Sequence, residues 1–117
     1  MTERISAIVA ASLEVKRQFF ESNGGDVQHA ADMIAGALKS GGKLLIFGNG
    51  GSAADSQHIG GELVNKFLQQ RRALPAIALT TDGGVLTCIA NDTGFENIFA
   101  RQIEALGNSG DVCLAIS

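Results

Sequence analysis

Apolar residues at Ile5, Ile8, Val9, Leu13, Val15, Phe19 and Phe20 mostly recur at the three- and four-residue spacing of one helical face, with Thr2 as a candidate N-cap. Asn23-Gly24-Gly25 reads as the stop of this first helix. Asp26 can cap a second helix, whose buried stripe is Val27, Ala30, Ala31, Ile34, Ala37 and Leu38 and whose end is Gly41-Gly42. The pattern then changes. Leu44-Leu45-Ile46-Phe47 is a continuous apolar run between glycines, as expected of a strand buried on both faces.

Gly48-Asn49-Gly50-Gly51-Ser52 breaks that strand, and Ala53 to about Gln70 reads as a helix. Pro75 precedes a second strand, Ala76-Ile77-Ala78-Leu79, which runs into Thr80-Thr81-Asp82-Gly83-Gly84. A short helix through Val85, Leu86, Cys88 and Ile89, a polar turn at Asn91-Asp92-Thr93-Gly94 and a helix from about Phe95 to Leu106 lead to a third strand, Val112 to Ile116. Strands alternating with helices imply right-handed crossovers and a parallel sheet, so the expected class is α/β. A parallel sheet needs both faces and its edges covered. One that stops on a core strand is expected to be sheltered by partner subunits or continued by further chain, and truncation after the third strand is the favoured reading.

Composition narrows the function classes. The 117 residues suit one domain, and 45% hydrophobic against 18% charged residues excludes intrinsic disorder. With no Trp or Tyr, the core is expected to come mainly from aliphatic residues and phenylalanine, and Phe19, Phe20, Phe67, Phe95 and Phe99 are read as core or helix-packing residues. A net charge of −3, with Arg71-Arg72 as the densest basic pair, provides no face for nucleic acid. Cys88 and Cys113 lack metal or disulfide spacing and are expected to be reduced core thiols. His29 is expected at a surface or interface. The N-terminus lacks a signal-peptide profile and no apolar run approaches the ~20 residues that cross a bilayer, so the expected location is cytoplasmic, away from any membrane.

In parallel α/β sheets, ligands bind beyond the carboxyl ends of the strands. Three polar segments fall there: Gly48 to Ser52, Thr80 to Asp82, and Ser117. The first leads from a buried strand into a helix N-terminus, where free amides and the helix dipole favour an anion. Asn49 and Ser52 add short polar side chains. The competing reading is a tight turn capped by Ser52. The same loop matches G-x-G-x-x-A, a dinucleotide fingerprint that lacks its acidic partner about 20 residues later.

On the helix leaving the loop, His58 and Glu62 are spaced i, i+4 and share a face. They can be two metal ligands, a base with its orienting partner, or an exposed ion pair. Asp55 is a neighbouring candidate or a dipole partner. The adjacent Gly60-Gly61 pair weakens the helix and suggests a close approach by ligand or backbone. Asn91-Asp92 reads by default as turn chemistry.

The ordered series Gly48-Asn49-Gly50-Gly51-Ser52-Ala53-Ala54-Asp55-Ser56-Gln57-His58, Glu62-Leu63, Leu74-Pro75-Ala76-Ile77-Ala78-Leu79-Thr80-Thr81-Asp82, Ile89-Ala90-Asn91-Asp92 and Gly110-Asp111-Val112 closely resembles the sugar isomerase (SIS) domain family, and within it the phosphoheptose isomerases. The resemblance covers essentially the whole chain. It implies a flavodoxin-like, parallel-sheet SIS sandwich, of which residues 1–117 are the N-terminal part of one domain: 1–40 a helical oligomerisation segment, 41–117 the start of the α/β core. It implies further that Asn49, Gly50 and Gly51, with Ser52 beside them, bind substrate together with Glu62, Asn91 and Asp92, and that Ser117 opens a phosphate loop. His58 and Glu62 match two ligands of one zinc per subunit, the remaining Gln and His ligands being expected beyond Ser117. Glu62 also matches a proposed acid/base residue, its partner being that later His.

The activity so implied is isomerisation of sedoheptulose 7-phosphate to D-glycero-D-manno-heptose 7-phosphate through an enediol, in bacterial heptose and lipopolysaccharide precursor synthesis. Family members are homotetramers whose N-terminal helices pack between subunits, and the 117-residue chain alone is expected to be inactive. A sister group is a non-catalytic adaptor of the replication initiator. Its pattern is not acidic at the position of Glu62, so the glutamate favours the isomerase.

Overall fold

The computed structural model describes residues 2–117. In chain order these form α1 (Glu3–Lys39), β1 (Leu44–Gly48), α2 (Gly51–Val64), β2 (Ala76–Ala78), α3 (Gly83–Thr93), a 3-10 turn at Phe95–Asn97, α4 (Ala100–Leu106) and β3 (Val112–Ile116). They fall into two compact units, Met1–Met33 and Ile34–Ser117.

From Glu3 onward the first unit is helical, and the expected break at Asn23-Gly24-Gly25 is absent. Two interior glycines cost a helix about 1 kcal/mol each relative to alanine, which weakens it without ending it. Neither takes the left-handed backbone of a C-terminal cap. Asn23 donates its amide to the Phe19 carbonyl at 3.1 Å, and Asp26 lies inside the helix rather than at a cap. Thr2 does begin it: its Oγ1 accepts from the Ile5 amide at 3.4 Å and its carbonyl accepts from Ser6 at 3.0 Å. Arg17 bridges Glu14 and Glu21 one turn away on either side. His29 is exposed, as expected. Phe19 and Phe20 meet edge to face at 5.3 Å and, with Ile8, Leu13 and Val15, are exposed in the single chain instead of forming core.

The second unit is built on a parallel sheet of order β2-β1-β3. Central β1 explains the unbroken apolar run: Leu44, Leu45 and Ile46 are covered on both faces and almost wholly buried. Leu79, Ile98 and Leu38 complete the core around it. The flanking strands alternate half-buried and exposed positions, which puts Cys113 on the open side of β3. Cys88 lies on the exposed side of α3, so neither thiol is a core group. Phe47 and Phe99 pack with ring centres 5.0 Å apart, while Phe67 and Phe95 are exposed.

Two helix boundaries differ from expectation for local reasons. α2 ends at Val64 instead of near Gln70, because Asn65 leaves helical geometry and the chain turns back so that the Leu74 amide reaches the Leu63 carbonyl at 3.0 Å. α3 runs through Asn91 and Asp92, which belong to its last turn and not to an interhelical loop; Asp82 starts it by accepting from the Val85 amide at 2.9 Å, and Gly94, at φ 113°, stops it. The arginine pair serves helix ends: Arg71 donates to carbonyls at the close of α2 and Arg72 to the Leu38 carbonyl near the close of α1. At the opposite edge of the sheet, Lys43 and Asp111 form the most sheltered ion pair among the described residues and tie the start of β1 to the start of β3. No described helix is long and apolar enough to cross a membrane.

Candidate functional site

With β1 central, the chain leaves it to form β2 on one side and later crosses to β3 on the other. The carboxyl end of β1 is therefore a topological switch point, where open parallel sheets bind ligands. The glycine-rich loop sits there. Gly48 is held by space: a Cβ on it would lie 2.5 Å from the Ile116 carbonyl oxygen and 2.7 Å from the Ser52 Cβ. Gly50 is held by conformation, since φ 60° with ψ −123° suits glycine far better than any L side chain. The two constraints fold the backbone sharply from strand into helix.

That fold exposes amides. Gly50 is the N-cap of α2, and Ser52, the cap in the competing reading, lies inside the first turn without a side-chain capping bond. The amides of Ser52, Ala53 and Ala54 bond back to the carbonyls of Asn49 and Gly50, and among the described residues none supplies an acceptor for the amides of Gly50 and Gly51. They stand at the positive end of α2, a site suited to an anion. Pairing of Gly48 with Ile116 brings Ser117 to the same sheet edge, directly beside the loop.

Asn49 and Gly50 open into a cleft of about 290 Å³ whose other walls are Thr80, Thr87, Phe95 and Phe99. Thr80 was legible in sequence only as part of a polar strand end. Its hydroxyl donates to the Ala53 carbonyl at 3.3 Å and accepts from Gln57 at 3.3 Å, which ties the end of β2 to α2. Thr87, Phe95 and Phe99 carried no sequence signal for this role, because only the packing of α3 and the 3-10 turn against the loop brings them there. Asn91 and Asp92 do not line this cleft; they are exposed on the last turn of α3, where Asn91 donates to Asp92 at 3.0 Å. A larger groove of about 780 Å³ beside β2, walled by Ile77, Val85, Ile89 and Leu106, takes in Thr81 and Asp82 of the second polar strand end but none of Asn49, Gly50, Gly51, Ser52, His58, Glu62, Asn91, Asp92 and Ser117.

His58 and Glu62 do share a face of α2, with Nε2 and Oε1 3.1 Å apart. The imidazole is largely exposed and the carboxylate half-buried. An exposed i, i+4 pair contributes only about 0.3–0.5 kcal/mol, so stability is a weak reason for its presence. Imidazole and carboxylate are both good zinc donors, and the two fit half of a four-donor centre. Asp55 does not join them: no group of three metal-ligating side chains exists among the described residues. Of the neighbouring glycines, Gly60 is buried against Ala78, with ordinary contacts of 3.8 Å for an added Cβ, whereas Gly61 faces open space. The expected close approach is thus a backbone one and applies to Gly60 alone.

Residues 9–117 match the family model described as SIS domain. The phosphoheptose isomerase of Aquifex aeolicus is 54% identical over 117 residues, all of this chain and 61% of the relative, and that of Thermodesulfovibrio yellowstonii is 51% identical over 98% of this chain and 57% of the relative. Among solved structures, phosphoheptose isomerase GmhA from Neisseria gonorrhoeae superimposes with a TM-score of 0.87 at 40% identity, covering 98% of this chain and 59% of that one. A phosphoheptose isomerase from Francisella tularensis gives 0.91 at 38% identity, covering 100% and 62%. The chain thus spans about six-tenths of the length of the relatives it matches.

Proposed function

Because the chain belongs to the SIS domain family, we propose that it is part of a sugar-phosphate isomerase, and specifically of a phosphoheptose isomerase that converts sedoheptulose 7-phosphate to D-glycero-D-manno-heptose 7-phosphate. One observation carries the reading. A single helix, α2, presents unpaired loop amides at its N-terminus and an imidazole–carboxylate pair two turns further on. The amides of Gly50 and Gly51, with Ser117 alongside, receive the phosphate, whose negative charge the helix dipole favours. Asn49 and Ser52 orient the sugar, and Asn91 and Asp92 contribute once substrate or a partner chain closes over the end of α3.

In this reading Glu62 is the base. It removes the proton alpha to the carbonyl and returns it to the neighbouring carbon, while a second group moves the hydroxyl proton, so that ketose becomes aldose through an enediol with no net redox change. His58 and Glu62 would be this chain's ligands to a zinc ion, which when bound supplies Lewis-acid stabilisation of oxyanion charge. The enzyme works in the cytoplasm as a homotetramer, with the apolar stripe of α1 as its packing surface. Relatives named phosphoheptose isomerase, at about half identity over nearly all of this chain, support the assignment. No observation favours the replication-initiator adaptor.

The test is Glu62→Gln in the whole protein. Isomerisation should fall by at least a thousandfold while sugar-phosphate binding, measured by calorimetry, stays within a few-fold. Turnover near that of the parent removes Glu62 from the chemistry and with it this reading.

A further inference from the structure

The last turn of α2 is the weakest part of that helix by composition and yet carries the glutamate on which the proposed reaction depends. Gly60 and Gly61 stand immediately before Glu62, no basic residue lies in the last turn, and Asn65 departs from helical geometry. Glycines lower helix stability by about 1 kcal/mol each. The terminal carbonyls of a helix also need donors from outside it. Here Gly61 accepts from the Asn65 amide and Leu63 from the Leu74 amide, whereas the Glu62 carbonyl takes its donor from a side chain. The Arg71 guanidinium reaches back to donate to the Glu62 carbonyl at 2.7 Å and the Leu63 carbonyl at 3.0 Å, and also to Arg72 at 3.0 Å and Asn65 at 3.5 Å.

We infer that Arg71 is a positioning residue for Glu62: it holds the backbone of residue 62 in the final helical turn, so that the carboxylate keeps its place one turn from His58. The inference rests on the isomerase reading above. Arg71 lies neither among the cleft residues nor in the glycine loop, and it acts on the carboxylate only through the backbone carbonyls it holds at the end of α2. A planar fork of fixed N–H groups is needed to span several carbonyls, and a lysine ammonium cannot reproduce it. Misplacing a reacting group by about 1 Å can cost a hundredfold in rate. Removing the fork therefore lowers the rate of the chemical step without weakening the hold on the phosphate.

The experiment measures kcat and KM for sedoheptulose 7-phosphate in the whole protein for Arg71→Ala, Arg71→Lys and Glu62→Gln, and for Arg71→Ala combined with Gly61→Ala. Gly61 has open space for a methyl group, so alanine there restores helix propensity to the same turn. The expected result is a ten- to hundredfold fall in kcat for both Arg71 variants, KM within twofold of the parent, and recovery of at least half the lost kcat, on a logarithmic scale, in the double variant. If Arg71→Ala does not fold, Arg71→Lys alone decides by the same split. An unchanged kcat with Glu62→Gln inactive overturns the inference and leaves the isomerase reading intact, as does a rise in KM at constant kcat, which would make Arg71 a substrate contact. An active Glu62→Gln sinks the isomerase reading instead.

Discussion

Replacing Gly48 by alanine adds one methyl group at the most crowded point of the glycine loop. The new Cβ would meet the Ile116 carbonyl oxygen at 2.5 Å and the Ser52 Cβ at 2.7 Å, both closer than real Cβ contacts. Neither neighbour can rotate away, because one is the backbone of the paired strand β3 and the other is fixed in the first turn of α2. Relief requires β1 and β3 to part at their carboxyl ends or α2 to shift outward. Overpacking of this kind costs about 1–3 kcal/mol. Against it stands a gain of about 0.4–1 kcal/mol from the stiffer unfolded chain, since Gly48 has no positive φ that would forbid alanine. The net expectation is a loss of up to about 2.6 kcal/mol, about 1.3 at the middle of both ranges, with each kcal/mol lowering Tm by about 4–8 °C in a domain of this size. Gly61→Ala is the internal control. The same methyl group in open space on a helix should raise stability by about 0.5–1 kcal/mol. Urea unfolding followed by far-ultraviolet circular dichroism reads both, and equal or greater stability for Gly48→Ala would refute the claim that Gly48 is pinned between β3 and α2. On the proposed isomerase reading the variant should also lose affinity for sugar phosphate, since Ser117 moves with β3 and the Gly50 and Gly51 amides move with α2.

Further outcomes follow from the same structure. Gly24→Ala with Gly25→Ala should raise helical content and add about 1–2 kcal/mol of helix stability if α1 is continuous; unchanged ellipticity would restore a break at 23–25. Asp111 is held down from 3.8 to about 2, chiefly by its hydrogen bond from the Lys43 ammonium and then by the Asn108 and Lys43 amides. A depressed carboxyl stabilises the fold above its ordinary range and loses that contribution as pH falls toward 2. Unfolding midpoints of Asp111→Asn between pH 4 and pH 2 should accordingly vary less with pH than those of the parent, and parallel profiles would show that the pair does not couple to folding.

Much of this molecule is legible in its sequence, because some features are dictated by near neighbours in the chain. The unbroken run Leu44 to Phe47 could only suit a strand covered on both faces, and β1 is the central strand. The i, i+4 spacing of His58 and Glu62 fixes a shared helical face, and the atoms meet at 3.1 Å. Sequence reasoning failed where the outcome depends on competition between local preference and surroundings. Gly24-Gly25 looks like punctuation, yet helical flanks on both sides carry the helix through. Asn91-Asp92-Thr93-Gly94 has the chemistry of a turn, yet only Gly94 leaves helical geometry.

Cys88 and Cys113 were misplaced for a related reason. Their types predict burial, but a residue's burial depends on which side of its element another element covers, and β3 presents Cys113 to its open side. The sequence by itself determined the α/β class, the glycine loop between strand and helix, and the pairing of imidazole with carboxylate, since each is set by spacing over a few residues. Tertiary structure alone decided that β1 lies between β2 and β3, that Ser117 comes to rest beside the loop, that Thr80, Thr87 and Phe99 wall the cleft, and that Arg71 caps the helix bearing Glu62. Those contacts join residues far apart in the chain, and their geometry is fixed only when the sheet closes and excludes water from its centre.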